Sequence, residues 1–257
     1  MSDDRPLMTR KFEDGVAILS FNRPEKHNAG AGDPAAWEWA LKDPAVRCVV
    51  VRGEGKSFHS GRDTTLLGTR EKDESDYEFV RHACNARINQ LLYAKPIIAA
   101  VKGYAIGGGF EMCLAADMRV GSTDAKLCLA EVKYGILPDT GGTQMLTTLI
   151  GPARTKYMTL TGDYVDGQTA YEWGIFDFLL PPEEVDAKAL SIAKTIASRS
   201  PGAVEMGKQL VDQMYLGAVI NGVRQELLAQ SSLFQSEDYK EQRAALREKR
   251  DPVFRRK

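Results

Sequence analysis

Residues 97–116 read Ile97-Ile-Ala-Ala-Val101, then Lys102-Gly103-Tyr-Ala-Ile-Gly107-Gly-Gly109, then Phe110-Glu-Met-Cys-Leu-Ala-Ala116. A short, wholly apolar run bounded by turn residues is a buried strand, and the stretch after the glycines is good helix material. Working outward, the same alternation recurs. Residues 15–22 and 46–52 are strands, the second apolar throughout, and residues 34–41 leave room for only a short helix. Residues 71–92 place Phe79, Ala83, Ile88 and Leu91-Leu92 at helical spacing. Short strands are expected at 118–120 and 126–129, and the turn at Gly141-Gly142 precedes a helix through Leu149. Strands alternating with helices imply an α/β fold. Beyond residue 185 the texture changes: 186–199, 203–216, 219–233 and 238–249 are all helix-like, with no strand among them. Apolar residues cover much of the helix faces in 203–216 and 219–233. Such helices need cover, from their own chain or from a neighbouring subunit. The expected division is an α/β unit, residues 1–185, followed by a helical region, residues 186–257.

The chain has 257 residues, with 34 Lys and Arg against 35 Asp and Glu, so its net charge is −1. That balance excludes a generally basic nucleic-acid binder, because no charge excess exists to neutralise phosphates. A hydrophobic fraction of 43% and a charged fraction of 27% exclude disordered, collagenous and disulfide-scaffold classes. Cys48, Cys84, Cys113 and Cys128 show no CxxC or Cys/His ligand spacing and read as reduced core residues. No window reaches the roughly 18 apolar residues of a membrane span. A cytoplasmic protein is expected.

Gly107-Gly-Gly109 between a strand and a helix permits close backbone approach and presents amide N–H groups at a helix start, which suits an anion or a developing oxyanion. Tight helix–strand packing alone accounts for the same glycines. Phosphate-loop readings fail on spacing, since neither GxxxxGK[ST] nor GxGxxG fits. Glu111 stands in the first turn of the helix, where the dipole favours a carboxylate, and capping alone explains it too. Glu131 follows an apolar strand and enters a loop, a position that suits catalysis as well as a merely solvated glutamate. Two carboxylates converging on one pocket would push their pKa values apart, so that one gives a proton while the other accepts one. Asp139 is placed to cap the helix beginning near Gly141. His59 and His82 have no evident nucleophile partners, His27 sits in a charged turn, and the three are too far apart to suggest a metal site, so no metal is expected.

The order of these motifs is more specific than any one of them. Asn22-Arg-Pro-Glu-Lys-His-Asn-Ala29, Ser57-Phe-His-Ser-Gly-Arg-Asp63, the run from Lys95 through Glu111, and Gly135-Ile-Leu-Pro-Asp-Thr-Gly-Gly-Thr-Gln144 together resemble the enoyl-CoA hydratase (crotonase) family. Leu160-Thr-Gly162 and Glu248-Lys-Arg-Asp-Pro-Val-Phe254 continue the resemblance across nearly the whole chain. It implies a spiral of repeated ββα units, a C-terminal helical trimerisation region, assembly as a trimer or a dimer of trimers, and acyl-CoA substrates with no cofactor. It also implies an oxyanion hole from the backbone N–H groups of Arg62 and Gly108, and an acid/base pair, Glu111 and Glu131, that adds water across a 2,3 double bond. Lys26, Ser60, Phe254 and Lys257 match positions that touch CoA. Asp139 matches an aspartate used by isomerase relatives, and carnitinyl-CoA dehydratase-like members also carry this Pro-Asp. Double-bond isomerisation and carnitinyl-CoA dehydration are thus the alternatives. Two departures stand out: residues 29–45 are shorter than is usual in the family, and Arg62 replaces a small residue, so that its side chain could meet a polar or anionic acyl group. Some members of the family also bind RNA, a role that the near-zero net charge argues against.

Overall fold

The structure is a computed structural model that describes residues 5–30, 32–66, 69–70 and 73–255. Its centre is a six-stranded sheet in the order β1 (Met8–Glu13), β2 (Val16–Phe21), β3 (Cys48–Gly53), β4 (Ile97–Val101), β6 (Met118–Ser122), β9 (Phe178–Leu180). Only the β1–β2 pair is antiparallel. A second sheet joins β5 (Tyr104–Ile106), β7 (Lys126–Cys128) and β8 (Val165–Asp166).

Both faces of the large sheet are covered, which is why its inner strands are apolar without alternation. Ala17, Leu19, Val49, Val51, Ile97, Ala99 and Val101 point into the larger core, shared with the second sheet and helices α1 (Pro34–Lys42), α2 (Asp76–Leu91), α3 (Gly108–Leu114) and α4 (Gly142–Thr161). Their neighbours Val16, Ile18, Cys48, Val50, Ile98, Ala100 and Val120 point the other way, against Val185, Ala189, Ala193 and Ala197 of α6 (Pro182–Ala197). The small α6 residues recur every four positions, one stripe of a helix lying flat on the strands.

The expected spiral is visible in the chain path. β4, β5 and α3 form one ββα unit; β6, β7 and α4 form the next. A third begins with β3, whose successor is a single bridge from His59 to Ala105 on β5, and runs on into α2. The short region 29–45 folds as α1, capped by Asp33 and tied down at its end by buried Lys95, whose ammonium donates to the carbonyls of Ala40 (2.9 Å) and Asp43 (2.7 Å).

Several expectations shift. Strands β1, β5, β8 and β9 and helix α5 (Gly167–Trp173) join those read from sequence. The helix expected to end near Leu149 continues to Thr161, interrupted at Gly151, whose φ of 74° and ψ of 169° are non-helical. On α2, Leu91 of the expected stripe is buried and Phe79 and Ile88 pack partly buried on the core, while the fully buried face also takes in Val80, Cys84, Arg87 and Gln90. The boundary at 185/186 falls inside α6, which belongs to the sheet. The two following helices differ in what covers them. α8 (Leu216–Leu233) buries Leu216, Val219, Val223 and Leu227 within its own chain, packed on α2 and α4. α7 (Pro201–Asp212) leaves Met206, Leu210 and Val211 about two-thirds exposed, with Met214 beyond it at 86%. The C-terminal helix α9 (Glu237–Glu248) lies over the turn at 131–134.

Candidate active site

The segments bearing Arg62 and Gly108 meet edge to edge. The His59 amide donates to Tyr104 O and the Ile106 amide to His59 O, both at 3.0 Å. Buried His59 fixes the next turn: its Nδ1 accepts from the Gly61 amide at 2.9 Å, so the ring carries its proton on Nε2, which donates to Gly30 O at 2.9 Å. Burial pushes this imidazole down to about 4 and holds it neutral. His59 is thus a structural support for the 59–62 turn. A Cβ on Gly61 would lie 3.6 Å from the Gly108 nitrogen, which places the turn against the start of α3. Among the described residues, neither the Arg62 nor the Gly108 amide donates to any other group.

The three glycines serve different ends. Gly107 has φ 53°, ψ −128°, and a Cβ there would stand 2.6 Å from Glu131 Oε1. A Cβ on Gly109 would meet His59 O at 2.1 Å, so the close packing requires glycine. Gly108 faces open space.

Glu111 and Glu131 converge on this place in opposite settings. Glu111, 1% exposed, does not cap its own helix. Its Oε1 accepts from the amides of Thr140 and Gly142, each at 2.9 Å, and its Oε2 from the Thr140 hydroxyl at 2.6 Å. Glu131 is part-exposed as a residue, yet its Oε2 is buried without a hydrogen-bond partner among the described residues. Burial, reinforced by the charge of Glu111, raises its carboxyl well above the usual range. The reading of Glu131 as a solvated loop residue does not hold.

Asp139 is not a helix cap, contrary to expectation: α4 starts from Gly141 with no side-chain cap. The donors at that end are already taken, by Glu111 and by a residue the sequence reading missed. Glu226 on α8, 5% exposed, accepts from the Gly141 amide and the Thr143 hydroxyl, both at 2.6 Å. Three successive amides thus go to Glu111, Glu226 and Glu111 in turn. Asp139 is left half-buried beside them and is pushed up to about 7 by desolvation and by Glu111, with Arg62 pulling the other way. Glu226 is pushed up to about 8 by burial and Glu111, despite its two donors. Its sequence signal was available: Glu226 follows Val219 and Val223 by seven and three positions, on the apolar face of its helix. Arg87, also unforeseen, lies under α3, pairing with Gln90 and donating to Gly108 O at 3.3 Å.

Lys26 and Ser60 are neighbours, the Ser60 amide donating to His27 O at 3.0 Å. Lys26 is half-exposed and shares Asp63 with Arg23, at 3.1 and 2.9 Å. Phe254 is half-exposed on the tail that runs back along α9. Lys257 lies outside the described residues. Among those described, no group of three or more His, Cys, Asp and Glu side chains is arranged to hold a metal ion.

The sequence profile described as enoyl-CoA hydratase/isomerase matches residues 11–257. The chain belongs to the enoyl-CoA hydratase/isomerase family. It is 33% identical to a crotonyl-CoA hydratase of Syntrophomonas wolfei, over 94% of this chain and 95% of that protein. It is 34% identical to an (E)-benzylidenesuccinyl-CoA hydratase of Thauera aromatica, over 96% and 98% of the two. The crystal structure of a carnitinyl-CoA hydratase from Mycobacterium avium superposes with a TM-score of 0.84 at 29% identity, covering 98% of this chain and all of that one. The architecture is accordingly the crotonase fold of this family.

Proposed function

We propose that the protein adds water across the 2,3 double bond of an acyl-CoA thioester, or removes it in the reverse direction. The observation that carries the reading is the pairing of two amide N–H groups that have no acceptor among the described residues with two carboxyls of opposite setting. The thioester oxygen lies between the Arg62 and Gly108 amides, which stabilise it as it becomes an enolate oxygen and leave Cβ electrophilic. Glu111, fixed by Thr140 and Gly142, takes a proton from water as the oxygen bonds to Cβ. Glu131, whose environment favours the protonated form, delivers its proton to Cα. Transfer of a proton from Glu111 back to Glu131 resets the pair, so the net addition is one H and one OH. These steps use no cofactor.

The test is product analysis with trans-2-enoyl-CoA. A 3-hydroxyacyl-CoA supports the reading; an alkene moved along the chain at unchanged mass supports isomerisation instead. Asp139 favours this second reading, because a half-buried carboxyl poised near 7 beside Glu111 can shuttle a proton between carbons. The M. avium relative leaves carnitinyl-CoA dehydration as a further substrate option for the same chemistry.

Lys26 and Ser60 form one flank for the CoA moiety, and the tail that carries Phe254 contributes another to a neighbouring subunit. The exposed apolar residues of α7 support assembly as a trimer or a dimer of trimers, to be read by sedimentation. No helix among the described residues is long and apolar enough to cross a membrane. Four free, buried cysteines support a reducing, cytoplasmic setting.

A further inference from the structure

We propose that the Arg62 side chain is a carboxylate receptor, so that the acyl groups preferred by this site end in a carboxylate. The inference rests on the hydratase reading, because that reading places the thioester oxygen at the amide of the same residue. A side chain starting there extends beside the acyl group.

The guanidinium has a defined seat: its Cζ lies 4.0 Å from the centroid of the Phe79 ring on α2. The same ring holds Arg70 at 4.1 Å, and the comparison of the two arginines is informative. Arg70 is neutralised by Asp76, with contacts of 2.7 and 2.9 Å, and leans on Phe234 as well. Arg62 stands over Phe79 with no hydrogen bond or ion pair to its guanidinium among the described residues. Among the described residues, two cations share one ring and only Arg70 is ion-paired, which leaves an unpaired positive charge beside the Arg62 amide.

The acidic groups facing Arg62 do not cancel it. Glu74 is engaged by His82 at 3.2 Å, and Asp139, though close enough to act on Arg62, makes no ion pair with it. Asp139 is also pushed up to about 7, which weakens its repulsion of an incoming anion. Arg62 is exposed as a residue, yet burial is the leading influence on its guanidinium, lowering its pKa. A partly desolvated, pre-seated guanidinium is a strong partner for a planar carboxylate, which it can grip through two parallel hydrogen bonds. A plain alkyl chain gains nothing from it and strips its remaining water.

The experiment compares saturated ω-carboxyacyl-CoA thioesters with neutral acyl-CoA of the same lengths. Binding is measured by calorimetry on the full-length protein, and hydration of the matching 2-enoyl pairs is followed in parallel. The wild type is expected to favour the carboxylated member of at least one pair by about tenfold or more, the usual scale for a charged hydrogen-bonded contact. Arg62→Met should erase that ratio, and Arg62→Lys should keep only part of it. Both members of a pair use the same backbone donors, so any disturbance of the oxyanion hole divides out. A wild type with no preference at any length overturns the proposal, as does an Arg62→Met ratio equal to the wild-type one. Failure of the wild type to hydrate either series while the binding ratio persists would overturn the hydratase reading alone.

Discussion

Two segments meeting at the start of α3 hold a glutamate each, and they are built on different principles. On the α3–α4 side, Glu111 is gripped by three donors from a turn that is itself held by Glu226. On the 128–135 side, Glu131 has one buried oxygen bonded to nothing among the described residues. The first arrangement stabilises the fold; the second costs stability, because a buried polar atom has lost water and gained no partner. The lesson is that identical side chains acquire opposite settings from their surroundings, and that only one of the two is held at the expense of the fold.

The comparison breaks most sharply under amide substitution. Glu111→Gln and Glu131→Gln should each lower kcat for enoyl-CoA hydration by about 10²–10⁴, the usual worth of a positioned acid or base. Their stabilities should part company. Glu111→Gln sets an NH2 against the donors of the 140–142 turn and should lose about 1–3 kcal/mol, whereas Glu131→Gln should leave the melting temperature unchanged or raised. Equal destabilisation by the two would refute the contrast.

Next in size is Glu226→Ala. It strands the Gly141 amide and the Thr143 hydroxyl, at about 1–3 kcal/mol for each buried group left unmet, measurable by urea unfolding. Glu226 also sets a pH dependence. Its carboxyl titrates near 4.5 when unfolded and about 8 when folded, so between those values the native state holds a proton the unfolded chain has shed. Stability should therefore fall as pH rises through that window, and Glu226→Gln should flatten the fall. A slope unchanged in that variant would dissociate Glu226 from the effect. The smallest change is Thr140→Val, which removes one of the three donors to Glu111. A loss of about tenfold or less in kcat is expected from steady-state kinetics, with both amide bonds to Glu111 retained.

The sequence disclosed the parts of this molecule whose burial is continuous or whose glycines are obligatory. β2, β3 and β4 were legible because both faces of each are apolar, and the triple glycine because a strand ran straight into a helix. β5, β8 and β9 are two or three residues long, too short to establish any periodicity. The face of α2 is only partly legible, because Arg87 and Gln90 occupy buried positions that an apolar pattern cannot register. Glu111 and Glu131 were legible as candidates from their place beside secondary-structure ends. What each does could be argued only from what surrounds it, and Glu226, 115 positions beyond Glu111, forms part of that surrounding.

The reach of Glu226 back to the 141–143 turn also bears on the order in which a working molecule can come into being. The strands, the glycine turn and both catalytic candidates leave the ribosome long before α8 does, and folding of the early units can begin without it. The turn that aims Glu111 nevertheless lacks its second carboxyl group until residue 226 has been made and α8 has docked. A nascent chain or a C-terminally clipped one would therefore hold an assembled spiral around an unfinished catalytic turn. The cavity becomes competent late, in the same event that completes the helical cover.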